Sequence, residues 1–310
     1  MADAVAVDNP PRRRLLPRLT SLPWIPLVFL SLLIVGAVFA PLIAPHRPLD
    51  PVAVTAAQCK AAYGQAFDGC YIKDDPPFFI AGSIAKTLLG TDYLGRDIFS
   101  RLLYGARISL FVSLVGTTFA GVLGTALGLI AGYMGPIWQQ IIMRLTDAWL
   151  TLPPLIFAIL LSTIRGPGIG NIVIILAVVF WCGYTRLVYA EVLSLRQRDF
   201  VLLAEINGVS RFRIMRRHLL PNVLNTVVVY FTLIVGVAII IESILSFLGV
   251  GVPPPEPSWG LMIAQERDGL LEGKWWLVAW PGLAIMILVL SANMLGDWLR
   301  VRLDPHFQGP

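Results

Sequence analysis

Six runs of predominantly apolar residues, each about 20 long and so able to carry a helix across about 30 Å of hydrocarbon, constrain this chain more than any other feature. They run from Trp24 to Ala44, Ile108 to Met134, Ile141 to Ile164, Ile172 to Val192, Val223 to Leu248 and Trp276 to Leu299. The third is the weakest, with Arg144 and Asp147 near its start and Pro153 and Pro154 inside it. Charged residues make up only 14% of the 310, against roughly a quarter in a soluble domain. The expected fold is therefore all-α and polytopic, with six membrane-spanning helices and both termini on one side. The first run is too long for the apolar core of a cleaved leader, and Pro41 would follow its one small-residue cleavage point at Ala40, so it reads as an anchor.

Arginines set the orientation. Arg12, Arg13, Arg14 and Arg18 precede the first run, and Arg186, Arg196, Arg198, Arg211, Arg213, Arg216 and Arg217 lie at or between the fourth and fifth. Arg300 and Arg302 follow the sixth. All fall on one side, which the positive-inside rule makes cytoplasmic. The expected layout is a cytoplasmic tail at 1–23, a first span at 24–44, an outer segment at 45–107 and a core at 108–299. The core includes a cytoplasmic loop at 193–221 and an outer loop at 249–275; a second cytoplasmic tail follows at 300–310.

Within these runs, Gly116, Ala120, Gly124, Gly128 and Gly132 recur every four residues and form a stripe on which another helix can approach closely. Pro153 and Pro154, which lack an amide donor, are expected to kink or open the third span. Glu242 is a charge inside the fifth span. It reads either as a carboxylate hydrogen-bonded to a neighbouring helix or as a residue facing a substrate pathway, which makes Glu242, Pro153 and Pro154 the pathway candidates. Cys182 reads as a small buried apolar residue, whereas Cys59 and Cys70, both in the outer segment, are placed to form a disulfide that would order it.

No GxxxxGK[ST] loop is present to cradle nucleotide phosphates, and no GxSxG elbow. His46, His218 and His306 stand apart, with no carboxylate or cysteine at metal-ligand spacing. Neither catalysis nor a metal is expected. A basic helix-turn-helix for nucleic acid is not expected either, since about 30 residues tethered at both ends to membrane cannot present a recognition helix to a groove.

The stretch "AEINGVSRFRIMRRHLLPN" at 204–222 interrupts two strongly apolar runs. Asp199 is placed to cap "FVLLAEIN", Gly208 to end it in a left-handed turn, Ser210 to cap "RFRIMRRHLL" and Pro221 to stop that helix. Val201, Leu202, Val209, Phe212 and Met215 would then be exposed apolar groups awaiting a docked partner protein, because helices this short are marginal alone.

"LLAEINGVSRFRIMRRHLLPN" resembles the EAA loop of ATP-binding-cassette importer permeases: EAA, three residues, Gly, nine residues, IxLP. Ala204, Gly208, Leu220 and Pro221 fit this pattern, while Leu202, Leu203 and His218 depart from it. Three further stretches, 89–110, 245–263 and 280–305, resemble the peptide/nickel branch of that family, in its DppC/OppC-type permeases. The resemblance implies the type I importer permease fold and a role as half of a translocation pathway for di- or oligopeptides. Nickel chelates, glutathione or opines are alternative cargoes in the same family. The implied partners are a second, DppB/OppB-like permease, two cytoplasmic ATPases that bind ATP and Mg, an extracytoplasmic substrate-binding protein and membrane lipid. Ala204, Glu205, Gly208, Val209, Arg211, Phe212, Arg213, Met215 and Pro221 would couple to an ATPase. The runner-up from another class is a secondary carrier or channel that works without ATPases.

Overall fold

The computed structural model describes residues 23–65 and 69–303. The tail arginines Arg12 to Arg18, and His306 with most of the expected C-terminal tail, lie outside that range. Two short helices open the described chain, α1 (Trp24–Val38) and α2 (Ala40–Ile43). They part at Phe39, since Pro41 just beyond has no amide to continue the ladder. In the segment that follows, α3 (Ala56–Tyr63) opens with a capping box in which Thr55 and Gln58 bond reciprocally, and closes at Gly64 with φ +76°. Cys59 and Cys70 are joined by a disulfide, with their Cα atoms 6.0 Å apart.

The longest α-helix is α4 (Ile98–Tyr133), capped where Asp97 accepts the Ser100 N–H. It begins ten residues before the apolar run expected from Ile108: Arg107 bounds that run in the sequence, but the helix continues back through it and through Arg101, which is buried and paired with Asp92. Next, α5 (Pro136–Leu150) and α6 (Pro154–Arg165) meet at a 90° bend. The third span is thus opened at its prolines into two helices, broken at Thr151–Pro153, where consecutive prolines remove two backbone donors, and it starts at Pro136 rather than Ile141. Then follow α7 (Ile169–Leu195), α8 (Asp199–Ile206), α9 (Arg211–Ile214) and α10 (Leu220–Phe247). Two short helices, α11 (Trp259–Gln265) and α12 (Arg267–Leu271), lead to α13 (Trp276–Leu303).

Among the described residues, four helices are long and apolar enough to cross a membrane unaided. These are α4, α7, the continuous stretch 211–247 that contains α10, and α13. The bent α5–α6 pair would make a fifth. The first of the six expected spans is a 15-residue helix, about 22 Å at 1.5 Å per residue, followed by the separate turn of α2.

Packing centres on α4 against α7, the most extensive helix contact in the bundle. A Cβ added at Gly116 would stand 2.8 Å from Leu176 Cβ, at Gly128 2.7 Å from Val188 Cβ, and at Gly132 2.6 Å from Val192 Cγ1. Ala120 is fully buried, and Gly124 lies against Tyr184 and the Trp181 carbonyl in the same seam. From this same seam, Tyr184 meets Tyr230 of α10 edge-on, with ring centroids 4.9 Å apart.

Replacing Gly128 by Ala should lower the thermal midpoint of the detergent-solubilised protein, by about 1–3 kcal/mol of overpacking. Gly282→Ala in α13, where a Cβ meets nothing within 4 Å, should leave it unchanged or raise it through better helix propensity. Equal midpoints for the two variants would contradict the close α4–α7 approach.

Candidate functional site

The basic segment between α7 and α10 folds back onto the bundle. Its first helix, α8, starts with Asp199 already inside; Arg198 occupies the capping position without a side-chain bond, so Asp199 is not the cap expected from the sequence. Gly208, at φ +70°, makes the turn, and a Cβ there would meet nothing within 4 Å, so the demand on this position is one of backbone rather than space. Ser210 has the extended backbone of a cap, but its side chain makes no capping bond.

Pro221 does not end this helix. From Met215 to Leu219 the backbone takes one π-helical turn, and the helix continues through Pro221 into α10, making one continuous stretch from Arg211 to Phe247. Pro221 is the second residue of α10, directly after the π turn, and being without an N–H it adds no donor to the ladder there.

Burial divides the segment into two faces. Val201, Ala204, Ile214, Met215 and Leu219 pack into a core with Leu129 of α4, Val188 and Val192 of α7 and Val223 of α10, and Val209 rests against it. Val201 and Met215 are therefore not the exposed apolar groups expected: the turn at Gly208 sets the phase of the two helices so that both point inward. Outward stand Leu203 (57% exposed), Ile206 (80%) and Phe212 (69%), with Leu202 partly so. Leu203 and Ile206, three apart on α8, went unrecognised in the sequence although that spacing puts them on one face. Beside Phe212, an open groove is lined by Ser210, Arg213, Arg216 and Arg217. Arg211 is exposed as well. Glu205 accepts a hydrogen bond from the Tyr133 hydroxyl at 2.7 Å, tying α8 to the end of α4, and Pro221 is exposed at the helix surface.

The pathway candidates are not brought together. Glu242 is fully buried in α10, among hydroxyls. Ser246 donates to it at 2.8 Å, Ser109 of α4 at 3.1 Å and Ser243 at 3.5 Å, with Ser258 at the start of α11 also bonded. Ser246 in turn accepts the Val252 N–H, and Ser258 the Leu261 N–H. The carboxyl thus binds α4, α10, the following loop and α11 into one unit. Pro153 and Pro154 stand exposed at the α5–α6 bend.

A second polar cluster, unforeseen from the sequence, lies at the opposite end of the bundle from α8. Asp92 pairs with Arg96 and Arg101, and Arg101 also donates to Gln265 at 3.0 Å. Glu266 accepts the Tyr93 N–H at 3.1 Å. Burial, reinforced by Asp92 and Asp74 and opposed by the Tyr93 N–H and Arg101, pushes the Glu266 carboxyl up to about 7. The i, i+4 pair Asp92–Arg96 was the available signal; Gln265, the other partner of Arg101, lies 164 positions away, too far to be read.

The residues from 124 to 309 match the family model described as binding-protein-dependent transport system inner membrane component. The chain is 39% identical over 282 residues to the di/tripeptide transport system permease protein DppC of Pseudomonas aeruginosa, covering 91% of this chain and 87% of that one. It is 42% identical over 219 residues to the dipeptide transport system permease protein DppC of Bacillus subtilis, covering 71% and 68%. A chain of the inward-facing MetNI methionine ABC transporter shares the fold with a TM-score of 0.54 at 16% identity, covering 66% of this chain and 96% of that one.

Two measurements check the site. Glu242→Leu, which strips four hydroxyls of their common acceptor, should cost about 1–3 kcal/mol per group left unsatisfied and lower the thermal midpoint well below that of Glu242→Gln. For Glu266, the raised folded-state pKa means that its contribution is greatest below the ordinary value of 4.5 and is lost as pH rises to about 7. The midpoint should therefore fall across that window in the native protein, and fall less steeply in Glu266→Gln.

Proposed function

The chain belongs to the family of binding-protein-dependent transport system inner membrane components, and from that premise we propose that it is one of the two membrane-embedded halves of an ATP-driven importer of di- and oligopeptides. It is a multi-pass membrane protein with a transport role. The peptide cargo is carried over from relatives named for di- and tripeptide transport. The proposed partners are a second permease, two cytoplasmic ATPases that hold ATP and Mg, and a substrate-binding protein on the outer side. Both ends of the chain are placed in the cytoplasm on the strength of the arginine distribution.

One observation carries the mechanical part: the two-faced segment 199–219. Its inner face is packed into α4, α7 and α10, and its outer face offers Leu203, Ile206 and Phe212 next to Arg213, Arg216 and Arg217. An apolar centre with a basic rim suits a groove on an ATPase, since buried apolar anchors carry most docking energy and rim charges steer it. Force applied there reaches the membrane without slack. The stretch from Arg211 to Phe247 is a single lever of 37 residues, about 55 Å long, and the Tyr133–Glu205 bond links α8 to α4. When ATP closes the ATPase pair, the displaced segment carries α4, α7 and α10 with it. A carrier that works without ATPases has no use for such a face.

Ile206→Asp and Phe212→Asp alter exposed side chains and should leave the thermal midpoint of the chain within about 0.5 kcal/mol of native. Each should release the ATPase subunits on co-purification and abolish ATP-dependent dipeptide uptake in proteoliposomes. Stoichiometric ATPase and undiminished uptake in both variants would refute the coupling role, and uptake by the chain without any ATPase would refute the importer.

A further inference from the structure

At the end of the bundle opposite α8, an apolar surface surrounds the first turns of α13. The loop 74–90 packs there: Leu89 joins the core with Trp276 and Trp280, and Gly90 lies close enough that a Cβ would stand 3.3 Å from Trp276 Cδ1. Phe79 meets Trp280 edge-on at 6.4 Å between centroids, and Phe78 meets Phe79 at 5.6 Å. From the other side α12 folds back along α13, so that a Cβ at Gly269 would stand 2.6 Å from Leu277 Cδ1. Lys274 fixes the two pieces together, donating to Asp74 at 2.9 Å and to Glu272 at 2.6 Å.

These contacts leave large apolar side chains turned outward: Phe78 (56% exposed), Phe79 (55%), Leu88 (46%), Leu270 (48%), Leu271 (88%) and Trp275 (49%). A contiguous surface of this kind marks an interaction site rather than a face for water. Its occupant follows from its continuity with α13. That helix crosses the membrane, so Trp276 to Trp280, its first turns, mark the depth at which hydrocarbon gives way to headgroups. Phe79, in contact with Trp280, is held at that depth, and α12 lies alongside Leu277. Aromatic rings are favoured in this layer, and short amphipathic elements lie in it with the apolar side down. Lys274 holds Asp74 and Glu272 at once, and the Glu272 side chain, 62% exposed, stays within reach of water at the boundary.

We propose that the loop 74–90 and α12 with the turn after it to Trp275 form a collar embedded in the outer leaflet of the bilayer around the start of α13, with these six side chains dipping into lipid. The outer segment then does not stand free in the aqueous phase. It is moored to the membrane, and with it the Asp92–Arg96–Arg101 cluster and the Glu266 contact just above.

Spin labels on Leu271→Cys and, separately, on Leu88→Cys test this in the full chain, co-expressed with its partner subunits and reconstituted in lipid nanodiscs. The remaining cysteines do not compete, since Cys182 is buried and Cys59 is bonded to Cys70. Both labels should collide with oxygen and be shielded from the water-soluble relaxant Ni-EDDA, at a depth of about 5–10 Å below the phosphates. Free collision with Ni-EDDA at both sites would overturn the collar by showing the surface in water. Shielding from both relaxants would overturn it by showing the surface covered by protein. Because neither label touches the segment 199–219, failure here leaves the coupling role standing.

Discussion

Helices surrounded by lipid gain nothing from hiding apolar side chains from one another, so whatever holds this bundle together must come from closeness. The seam between α4 and α7 supplies it. Four glycines and one alanine on α4 let its backbone settle against Leu176, Tyr184, Val188 and Val192 at distances that admit no further side-chain atom. Two further cores build onto this seam, while α1, α11 and α13 pack with α4 and α10 in a core that does not include α7. On one side of α7, Tyr184 reaches Tyr230 and brings in α10; at the lower end Leu129, Val188 and Val192 form the floor on which α8 and α9 rest.

The same seam explains why the basic segment is a part of the bundle and not a loop hung from it. Half of its apolar residues are spent on attachment, and the other half remain outside. A docking element needs both, since a face that binds a partner transmits nothing unless its reverse side is fixed. At the far end Glu242 plays the corresponding role with polar contacts, collecting hydroxyls from α4, α10 and α11 around one carboxyl. The bundle is thus clamped at one end by apolar packing and at the other by hydrogen bonds, with the glycine seam between.

How far the sequence discloses this depends on the range of the interaction. The apolar runs of α7, α10 and α13 are legible to within about four residues at each end, because hydrocarbon thickness dictates their length. The bend at Gly208 is legible because only glycine enters the left-handed region without penalty. What stays hidden is long-range or a matter of phase. The early start of α4 runs back through Arg107 and through Arg101 paired with Asp92, which no count of apolar residues can register. Ser109 lies 133 positions from Glu242, so a hydrogen-bonded carboxyl could be expected there but its partners could not be named. The inward turn of Val201 and Met215 depends on the rotation between α8 and α9 across Gly208, and a list of apolar residues contains no rotation. The first span looked continuous because Phe39 is as apolar as its neighbours; Pro41 was the sign of a break there.

The π turn at Met215–Leu219 has a geometric consequence of its own. An α-helix advances about 100° per residue, and a turn bonded i→i+5 houses one residue more than an α-turn does. That surplus residue acts as a phase shifter: it sets the azimuth of everything before it against everything after. With it, Ile214 and Val223 both face the bundle while Phe212 faces out. Deleting one residue there would leave Phe212 itself in place in the sequence and yet point it about a quarter-turn away, so the aim of this face is written in the count of residues as much as in their kind.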